Sequence, residues 1–435
     1  MVDNTLDLDR RHVWHPFTQA KTAPLPVPIR SAVGAVLTAE DGRQYLDLIS
    51  SWWVTLHGHA HPVIAAAIAD QARTLEQVIF AGFTHAPAAR LAARLAHLLP
   101  EDLERVFFSD DGSTAVEVAL KIALQHARNK GEERRTRFLA FAGGYHGDTV
   151  GAMSAGTGSG FFEAYRPLFF DVRTLPYPAT WDGDDEVEAK ERAALAAVEA
   201  ALEEQGAETC ALIAEPLVQG ASGMRMVRPE FLRAVVARVR AAGVLAIFDE
   251  VMTGFGRTGA LFACGKAAVT PDIICLSKGL TGGFLPLSAT VTREGVYEAF
   301  LGETFDRALV HGHSFTANPL GCRAALASLD LLEAPETPVA WTSIEAIHRQ
   351  RLADLPAAAV RRRVLGTIAA FEVDGGGEGY DAAIGPRLRA AFLEQGLLMR
   401  PLGNVVYMMP PYCITENQLH RAYDSVGSVL RSSLL

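Results

Sequence analysis

The chain has 435 residues, of which 49% are hydrophobic, so it is long enough to bury a large core and to form two domains. Its formal net charge of −10 argues against a nucleic-acid-binding surface, which requires a basic face. The five cysteines are widely scattered without C-x-x-C spacing, which predicts neither a disulfide framework nor a zinc site and suits a reducing cytoplasm.

The first 30 residues combine early acidic side chains with four prolines and show no strong periodicity. They lack the apolar run of a signal peptide, and no later segment approaches the roughly 18 apolar residues of a membrane span, so we expect a cytoplasmic protein. We predict an extended arm whose Trp14, His15 and Phe17 pack on a domain or on a partner subunit. Asp41-Gly42 then predicts a hairpin within residues 35–48.

The segment SSWWVTLHGHAHP contains two adjacent tryptophans and three alternating histidines. Trp52 and Trp53 are expected to form a wall of a pocket. The spacing of His57, His59 and His61 could suit a metal on a strand, but the segment lacks a nearby carboxylate and a proline follows at once. We therefore predict no metal site.

A strand predicted at residues 106–108 leads into SDDGSTAVEVALK, the start of a long helical pattern. The amide groups at a helix N-terminus, together with hydroxyl side chains, form a ready phosphate site, and this interpretation involves Gly112 and Ser113. The alternative is that Ser113 simply caps the helix. The sequence at this point leaves both open.

A second predicted strand, residues 138–141, ends in AGGYHGDTVGAMS. Tyr145, His146 and Asp148 follow it among glycines, which allow the backbone to approach a ligand closely. Tyr145 could stack on a flat ring.

Two further apolar runs, residues 244–248 and 273–276, are rich in β-branched side chains and bounded by breakers, which predicts buried strands. The first ends at Asp249 and Glu250, and the second at Ser277 and Lys278. Ligands of open α/β sheets bind at the carboxyl ends of strands, so the acid and the amine could face one small molecule. Pyridoxal phosphate would use both, because its aldehyde condenses with a lysine and its ring nitrogen pairs with a carboxylate.

Simpler interpretations exist for the same two residues. Asp249 could cap the next turn, and Lys278 could be a solvated surface lysine. An acidic strand of a nucleotide hydrolase is disfavoured, because no G-x-x-x-x-G-K-[ST] loop occurs in the chain.

Alternating strands and helices between residues 106 and 276 predict an α/β fold with a large, mainly parallel sheet, and residues 335–435 predict a smaller α+β domain. Arg400 precedes the last predicted strand among apolar neighbours, where an arginine favours a carboxylate partner. We expect residues 1–60 to form an arm and part of the small domain, residues 61–325 the large domain, and residues 326–435 the rest of the small domain.

Four motifs of the large domain, FDEVMTGFGRTG, PDIICLSKGLTGG, GSTAVEVALK and GYHGD, carry a family resemblance. The chain resembles the class III (subgroup II) aminotransferases of fold type I. The resemblance implies that Lys278 binds the aldehyde of pyridoxal phosphate and shuttles a proton in catalysis, and that Asp249 pairs with the ring nitrogen. It further implies a phosphate site formed by Gly112 and Ser113 and a ring covered by Tyr145.

The same resemblance implies a homodimer with active sites at the subunit interface, in which Ser314 reaches the phosphate of the other subunit. HVWHPFTQ, SSWWVTLHGHAHP and HGHSFTANPLGC are similar to the members that aminate 8-amino-7-oxononanoate in biotin biosynthesis. This similarity implies two half-reactions through pyridoxamine phosphate, with S-adenosylmethionine as the amino donor. The residues implied in substrate binding are Trp52, Trp53, Gly312 and Arg400.

Two positions depart from the pattern of the family. Phe17 stands where some members carry a tyrosine, and His313-Ser314 stands where Pro-Thr is common. Three alternatives therefore stay open: lysine as the donor, a different class III aminotransferase acting on an ω-amino acid or a diamine, and a cofactor-free binding protein that kept the fold.

Overall fold

The computed structural model describes residues 4–156, 162–375, 377 and 382–432. Within these residues the strands are β1 Ile29–Val33, β2 Val36–Ala39, β3 Gln44–Asp47, β4 Leu103–Ser109, β5 Arg137–Phe141, β6 Val172–Leu175, β7 Thr209–Ala214, β8 Val218–Gln219, β9 Arg225–Met226, β10 Leu245–Asp249, β11 Ile273–Leu276, β12 Ser288–Arg293, β13 Ala359–Leu365, β14 Ile368–Val373, β15 Leu397–Leu398 and β16 Val405–Met408. The α-helices are α1 Thr5–His12, α2 Ser50–Trp53, α3 Pro62–Ala72, α4 Ala86–Leu98, α5 Gly112–Asn129, α6 Val150–Ala155, α7 Val187–Gln205, α8 Pro229–Ala241, α9 Ala263–Ala267, α10 Glu294–Glu298, α11 Pro319–Leu332, α12 Glu336–Ala353, α13 Ile384–Glu394 and α14 Glu416–Arg431.

The largest sheet has seven strands in the order β4-β12-β11-β10-β7-β5-β6. Its strands run parallel except for β12, which is antiparallel to both of its neighbours. Every residue of β7 and β11 is buried, as expected for strands that are covered on both faces. The α/β fold predicted from the alternating pattern is confirmed.

Neighbouring residues of the central strand β10 pack into different cores, one on each face of the sheet. Ile247 belongs to a cluster with Ala115 and Ala119 of α5, whereas Phe248 belongs to the larger cluster on the opposite face. Successive strand side chains point to opposite faces, so a continuous apolar run serves both layers of helices. This two-sided burial fixes the strand ends that carry the polar residues described below.

Two smaller sheets are formed by segments from both ends of the chain. β13, β14 and β16 form an antiparallel sheet, and β1, β2 and β3 form another, in which the predicted hairpin at Asp41-Gly42 joins β2 to β3. β15 adds to β3 in parallel, with Leu398 opposite Asp47. The pairing places Arg400 close to the segment that follows Asp47. The division of the chain into an arm, a large domain and a small domain stays a prediction.

The structure corrects the prediction of an extended N-terminal arm at residues 5–12, which form helix α1. The Asn4 side chain caps this helix by accepting a hydrogen bond from the Asp7 amide, and basic residues lie in its last turn. Both features favour a helix locally, because they satisfy free amides at the start and complement the dipole at the end. Across the described residues, none of the helices is both long and apolar enough to cross a bilayer.

Candidate active site

A cavity of about 670 Å³ lies at the carboxyl edge of the large sheet. Its lining includes Asp249 from the end of β10, Lys278 from the segment after β11, and Glu215 from the residue after β7. Because β10 runs parallel to both β7 and β11, with Phe248 opposite Ala214, these strands end at the same edge. The structure thus places the acid and the amine in one cavity.

Lys278 follows β11 with a φ of 45°, in the left-handed region that side-chain-bearing residues rarely adopt. Its Nζ atom lies 5.2 Å from the centroid of the Trp53 ring. Burial lowers the pKa of the amine, and the charges of Asp249 and Glu215 oppose this effect without reversing it. Its position in the cavity beside Trp53 shows that Lys278 is not a solvated surface lysine, and the lowered pKa enlarges the neutral, nucleophilic fraction of its amine.

The carboxylate of Asp249 is held by a buried histidine and by the backbone. Oδ2 of Asp249 lies 2.7 Å from Nδ1 of His146, and Oδ1 accepts a hydrogen bond from the Val251 amide at 3.1 Å. Burial lowers the pKa of His146, but the hydrogen bond and the charge of Asp249 outweigh it and the net pKa is raised. Asp249 therefore caps the next turn with one oxygen and meets a strong donor with the other.

The start of α5 faces the same cavity. The interpretation of Ser113 as the cap of this helix is wrong. Asp111, not Ser113, is the N-cap, and its side chain forms a capping box with Thr114. The Ser113 hydroxyl instead donates to Thr149 Oγ1 at 2.8 Å and accepts from the Thr149 amide at 2.9 Å. Ser113 is thus held at the cavity wall beside the helix N-terminus, where anions are favoured.

Two glycines of this wall leave no room for a side chain. A Cβ atom on Gly112 would lie 2.5 Å from Cγ1 of Val251, and one on Gly147 would lie 2.3 Å from the Ser113 hydroxyl. Gly147 also has a φ of 123°, a conformation that favours glycine. The wall is a close-fitting cradle made of backbone and hydroxyl groups, which is the chemistry that a phosphate group requires.

Tyr145 lines the cavity and is tied to a buried carboxyl group that the sequence analysis gave no role. The Tyr145 amide donates to Glu215 Oε2 at 3.0 Å, and the Gly220 amide donates to Oε1 at 2.9 Å. Burial raises the pKa of Glu215 to about 7, the opposing effect of His146 being smaller. A strand that ends in an acid, ALIAEP, resembles AIFDE in pattern and could have indicated this residue.

Trp53 lines the cavity, whereas Trp52 is not part of the lining and has 41% of its surface exposed. The guanidinium carbon of Arg400 lies 4.3 Å from the centroid of the Trp52 ring and 5.9 Å from that of Phe17. Phe17 and Trp52 meet edge to face at 5.9 Å. Of the four residues predicted to bind substrate, Trp53 forms an inner wall, Trp52 and Arg400 form an outer cluster together with Phe17, and Gly312 is not part of the cavity lining.

Gly312 and Ser314 lie in an exposed segment that, among the described residues, does not contribute to the cavity lining of its own chain. The Ser314 carbonyl accepts a hydrogen bond from Gln77 Nε2 at 2.6 Å. Nδ1 of His313 lies 3.3 Å from Oδ2 of Asp110, which does line the cavity. A single chain thus brings together every predicted cofactor residue except Ser314.

The alternating histidines have nearby partners that the sequence did not reveal. His59 Nε2 lies 2.9 Å from Oδ2 of Asp47, so the carboxylate judged to be missing is supplied from 12 residues earlier in the chain. His57 Nε2 lies 3.1 Å from the Ser328 hydroxyl. Within the part of the chain that the structure describes, no group of three or more His, Cys, Asp and Glu residues could hold a metal ion.

Comparison with known proteins gives a consistent result over the whole chain. The sequence profile of the family described as "Aminotransferase class-III" matches residues 17–430. The chain is 56% identical over 422 residues to "Adenosylmethionine-8-amino-7-oxononanoate aminotransferase" of Synechococcus elongatus, a match that covers 96% of this chain and 98% of the relative.

Solved structures agree in fold over nearly the same extent. The aminotransferase of the same name from Methanocaldococcus jannaschii superposes with a TM-score of 0.91 at 34% identity, covering 98% of each chain. An amine transaminase from an uncultivated Pseudomonas species, solved in its PLP-bound form, superposes with a TM-score of 0.89 at 30% identity and covers 96% of this chain and 98% of its own.

Proposed function

We propose that this chain, which belongs to the class III aminotransferase family, uses pyridoxal phosphate to transfer an amino group to 8-amino-7-oxononanoate. The matches to the family profile and to the curated relative confirm the family that the motifs predicted. The observation that carries the proposal is the single cavity that contains Lys278, the Asp249–His146 pair and the glycine cradle at the start of α5. The named relatives with nearly full coverage support the choice of substrate.

The groups in the cavity fit each part of the proposed cofactor. Gly112 and Ser113 would hold the phosphate at the N-terminus of α5, because a cradle closed to any Cβ still admits backbone donors. Asp249, supported by His146, would pair with the ring nitrogen. Tyr145 would cover the ring. When bound, pyridoxal phosphate supplies an aldehyde that condenses with amines and a protonated ring that draws electrons from the reacting carbon.

Lys278 is the group that moves the proton in both half-reactions. Burial lowers the pKa of its amine, which favours the neutral form that a general base requires. Nζ would take the proton from the amine-bearing carbon of the donor and would later deliver a proton to carbon 7 of the acceptor. The Trp53 ring lies 5.2 Å from Nζ, where its apolar surface would shield the amine from water.

The outer cluster would bind the far end of the acceptor. Arg400 lies over Trp52, where an arginine can meet a carboxylate while an aromatic ring supports its guanidinium plane. The aliphatic chain of the oxononanoate would then lie along the tryptophans between the clamp and Lys278. The Phe17 ring has no hydroxyl, and it contributes aromatic contacts with Trp52 and Arg400 to this cluster.

We further propose that the enzyme is a homodimer in which each chain supplies Gly312 and Ser314 to the cavity of its partner. This assignment accounts for the exposed position of these two residues outside the cavity of their own chain. The exposed apolar side chains Phe305, Val310 and Phe315 flank the same segment, as expected of a surface that another subunit covers. A cytoplasmic location accords with five cysteines that are all free thiols.

The test is a pair of half-reactions followed by absorbance. Holoenzyme is mixed with S-adenosylmethionine, with lysine, or with a panel of ω-amines and diamines. The donor is the compound that removes the absorbance band at about 420 nm of the cofactor bound to Lys278. The enzyme that has taken up the amino group is then separated from the donor and mixed with 8-amino-7-oxononanoate. Return of the band identifies the oxononanoate as the acceptor. We expect S-adenosylmethionine and the oxononanoate to complete the cycle, and Lys278→Ala to show neither band nor turnover. A cycle completed with other substrates but not with the oxononanoate would refute the proposal.

A further inference from the structure

Residues 50–53, given above as α2, are not a regular helix but a turn that carries the two tryptophans on an unusual backbone. Ser50, Ser51 and Trp53 have φ angles of 50°, 60° and 68°, all in the region that favours glycine. Such conformations cost free energy and persist only where the surroundings hold them. The turn presents Trp53 to Lys278 and Trp52 to Arg400, so its conformation sets two walls of the site at once.

A buried carboxylate lies beneath this turn. Asp47 ends β3 and has no exposed surface. Its Oδ1 accepts a hydrogen bond from the Ile49 amide at 3.1 Å, and its Oδ2 accepts one from the Ser51 amide at 2.7 Å. The ring nitrogen Nε2 of His59 meets the same Oδ2 at 2.9 Å. Three donors from two segments therefore converge on one carboxylate.

Other contacts anchor the two ends of the turn. The Ser50 hydroxyl donates to the Met409 carbonyl at 2.8 Å, and Trp53 Nε1 donates to the Tyr407 hydroxyl at 2.9 Å. Asp47 anchors the middle of the turn, because it accepts a hydrogen bond from the amide of Ser51, the residue immediately before Trp52. Asp47 is itself fixed by the pairing of β3 with β15, the strand that leads to Arg400.

We infer that Asp47 is a positioning residue for the keto acceptor: its carboxylate, steadied by His59, fixes the strained turn that aims Trp52 at Arg400 and Trp53 at Lys278. The inference rests on the proposed function, and Asp47 itself touches no substrate. A neutral amide cannot replace the carboxylate. Whichever way an asparagine is turned, its NH₂ group would face the amide of Ile49 or of Ser51, and that hydrogen bond would be lost.

The experiment compares the wild-type holoenzyme with Asp47→Asn and with a matched control, Asp272→Asn. Asp272 is also a buried aspartate that accepts a backbone hydrogen bond, from the Ala246 amide at 2.8 Å, but it lies at the opposite end of β11 from Lys278. Each variant is measured for KM and kcat with 8-amino-7-oxononanoate, for its cofactor absorbance and for Tm. Crystal structures of the wild-type and Asp47→Asn holoenzymes are solved.

We expect Asp47→Asn to raise KM for the acceptor about tenfold or more, as loss of a charge-assisted hydrogen bond predicts, with kcat changed less than about threefold and the absorbance retained. Asp272→Asn should lower Tm and leave KM within about twofold. His59→Gln, which keeps a donor, should lie closer to the wild type than His59→Leu. The crystal structure should show residues 50–53 displaced in Asp47→Asn.

A change of KM no larger in Asp47→Asn than in Asp272→Asn, with residues 50–53 in place, would overturn the inference. If the wild-type enzyme does not turn over the oxononanoate, the proposed function fails separately. The crystal structures still decide the role of Asp47 in that case, because an undisturbed turn in Asp47→Asn contradicts it and a displaced turn supports it.

Discussion

Nδ1 of His146 lies 2.7 Å from Oδ2 of Asp249, and both side chains are buried beside the cavity. The hydrogen bond and the negative charge of Asp249 raise the pKa of His146 despite its burial. This pairing orients the carboxylate toward the position proposed for the ring nitrogen and supplies a donor that water would otherwise provide. In the proposed site, His146 would act on the cofactor through Asp249.

The first prediction concerns this pair. His146→Ala should weaken binding of pyridoxal phosphate roughly 10-fold to 100-fold, because a hydrogen bond to a charged group contributes about 1.5–3 kcal/mol. His146→Asn should recover much of the loss, since its Nδ2 can take the place of Nδ1. Titration of the cofactor-free protein with pyridoxal phosphate, followed by absorbance, gives both dissociation constants. Equal losses in the two variants would contradict the assigned hydrogen bond.

The second prediction concerns the fit of the phosphate cradle. Gly112→Ala should weaken cofactor binding about tenfold or more, because its Cβ would lie 2.5 Å from Cγ1 of Val251 and one of them must move. Adding Val251→Ala removes the obstructing methyl groups and should restore part of the affinity. The control is Gly265→Ala in α9, where a Cβ meets nothing within 4 Å. If the double variant binds no better than Gly112→Ala, the steric explanation is wrong.

Much of the fold was accessible from local sequence patterns. The strand Ile273–Leu276 has the predicted bounds, because breakers flank its apolar run. The parallel sheet followed from the alternation of these elements, and the cofactor residues followed from side chains at strand ends. These features depend on neighbours within one turn or one strand, which a single sequence contains.

The remaining features depend on contacts between distant segments. The partners His146 and Asp249 are separated by 103 positions, and no local pattern indicates that they meet. The carboxylate partner of His59 was overlooked because Asp47 lies 12 residues earlier in the sequence. The two side chains meet only once the turn at residues 50–53 has folded the chain back. The sequence left open whether Ser113 caps α5 or belongs to a phosphate site, and the structure shows that Asp111 is the N-cap. Ser314 lies outside the cavity of its own chain, so its predicted phosphate contact would require a second chain and stays a prediction.

The third prediction concerns the pH dependence of stability in the cofactor-free protein. Burial raises the pKa of Glu215 to about 7, above its ordinary value of 4.5, so the folded protein binds a proton that the unfolded chain has released between these pH values. The resulting stabilisation is fully present below about pH 4.5 and is lost as the pH rises through about 7. This difference between the pKa values of the folded and unfolded states corresponds to about 3 kcal/mol of unfolding free energy.

Glu215→Gln should remove this part of the pH dependence, because the amide does not titrate. Urea unfolding of the cofactor-free wild type and of the variant between pH 5 and pH 8 measures the pH dependence of the unfolding free energy. As the pH rises, the unfolding free energy of the wild type should fall relative to that of the variant. Substitution of the exposed Glu101 by glutamine is the control. A constant difference across the range would show that Glu215 does not titrate there.

The last prediction concerns the carboxylate clamp. Arg400→Ala should raise KM for 8-amino-7-oxononanoate roughly 10-fold to 100-fold, because it removes a charged partner of the carboxylate and the cation stacked 4.3 Å from the Trp52 ring centroid. The amide of the acceptor, which carries no charge at that end, separates the two causes. The wild type should discriminate strongly between the acid and the amide, whereas Arg400→Ala should accept both with similar KM. Arg431→Ala, which alters an exposed arginine at the end of α14, should discriminate as the wild type does. Undiminished preference for the acid in Arg400→Ala would place the carboxylate elsewhere in the cavity.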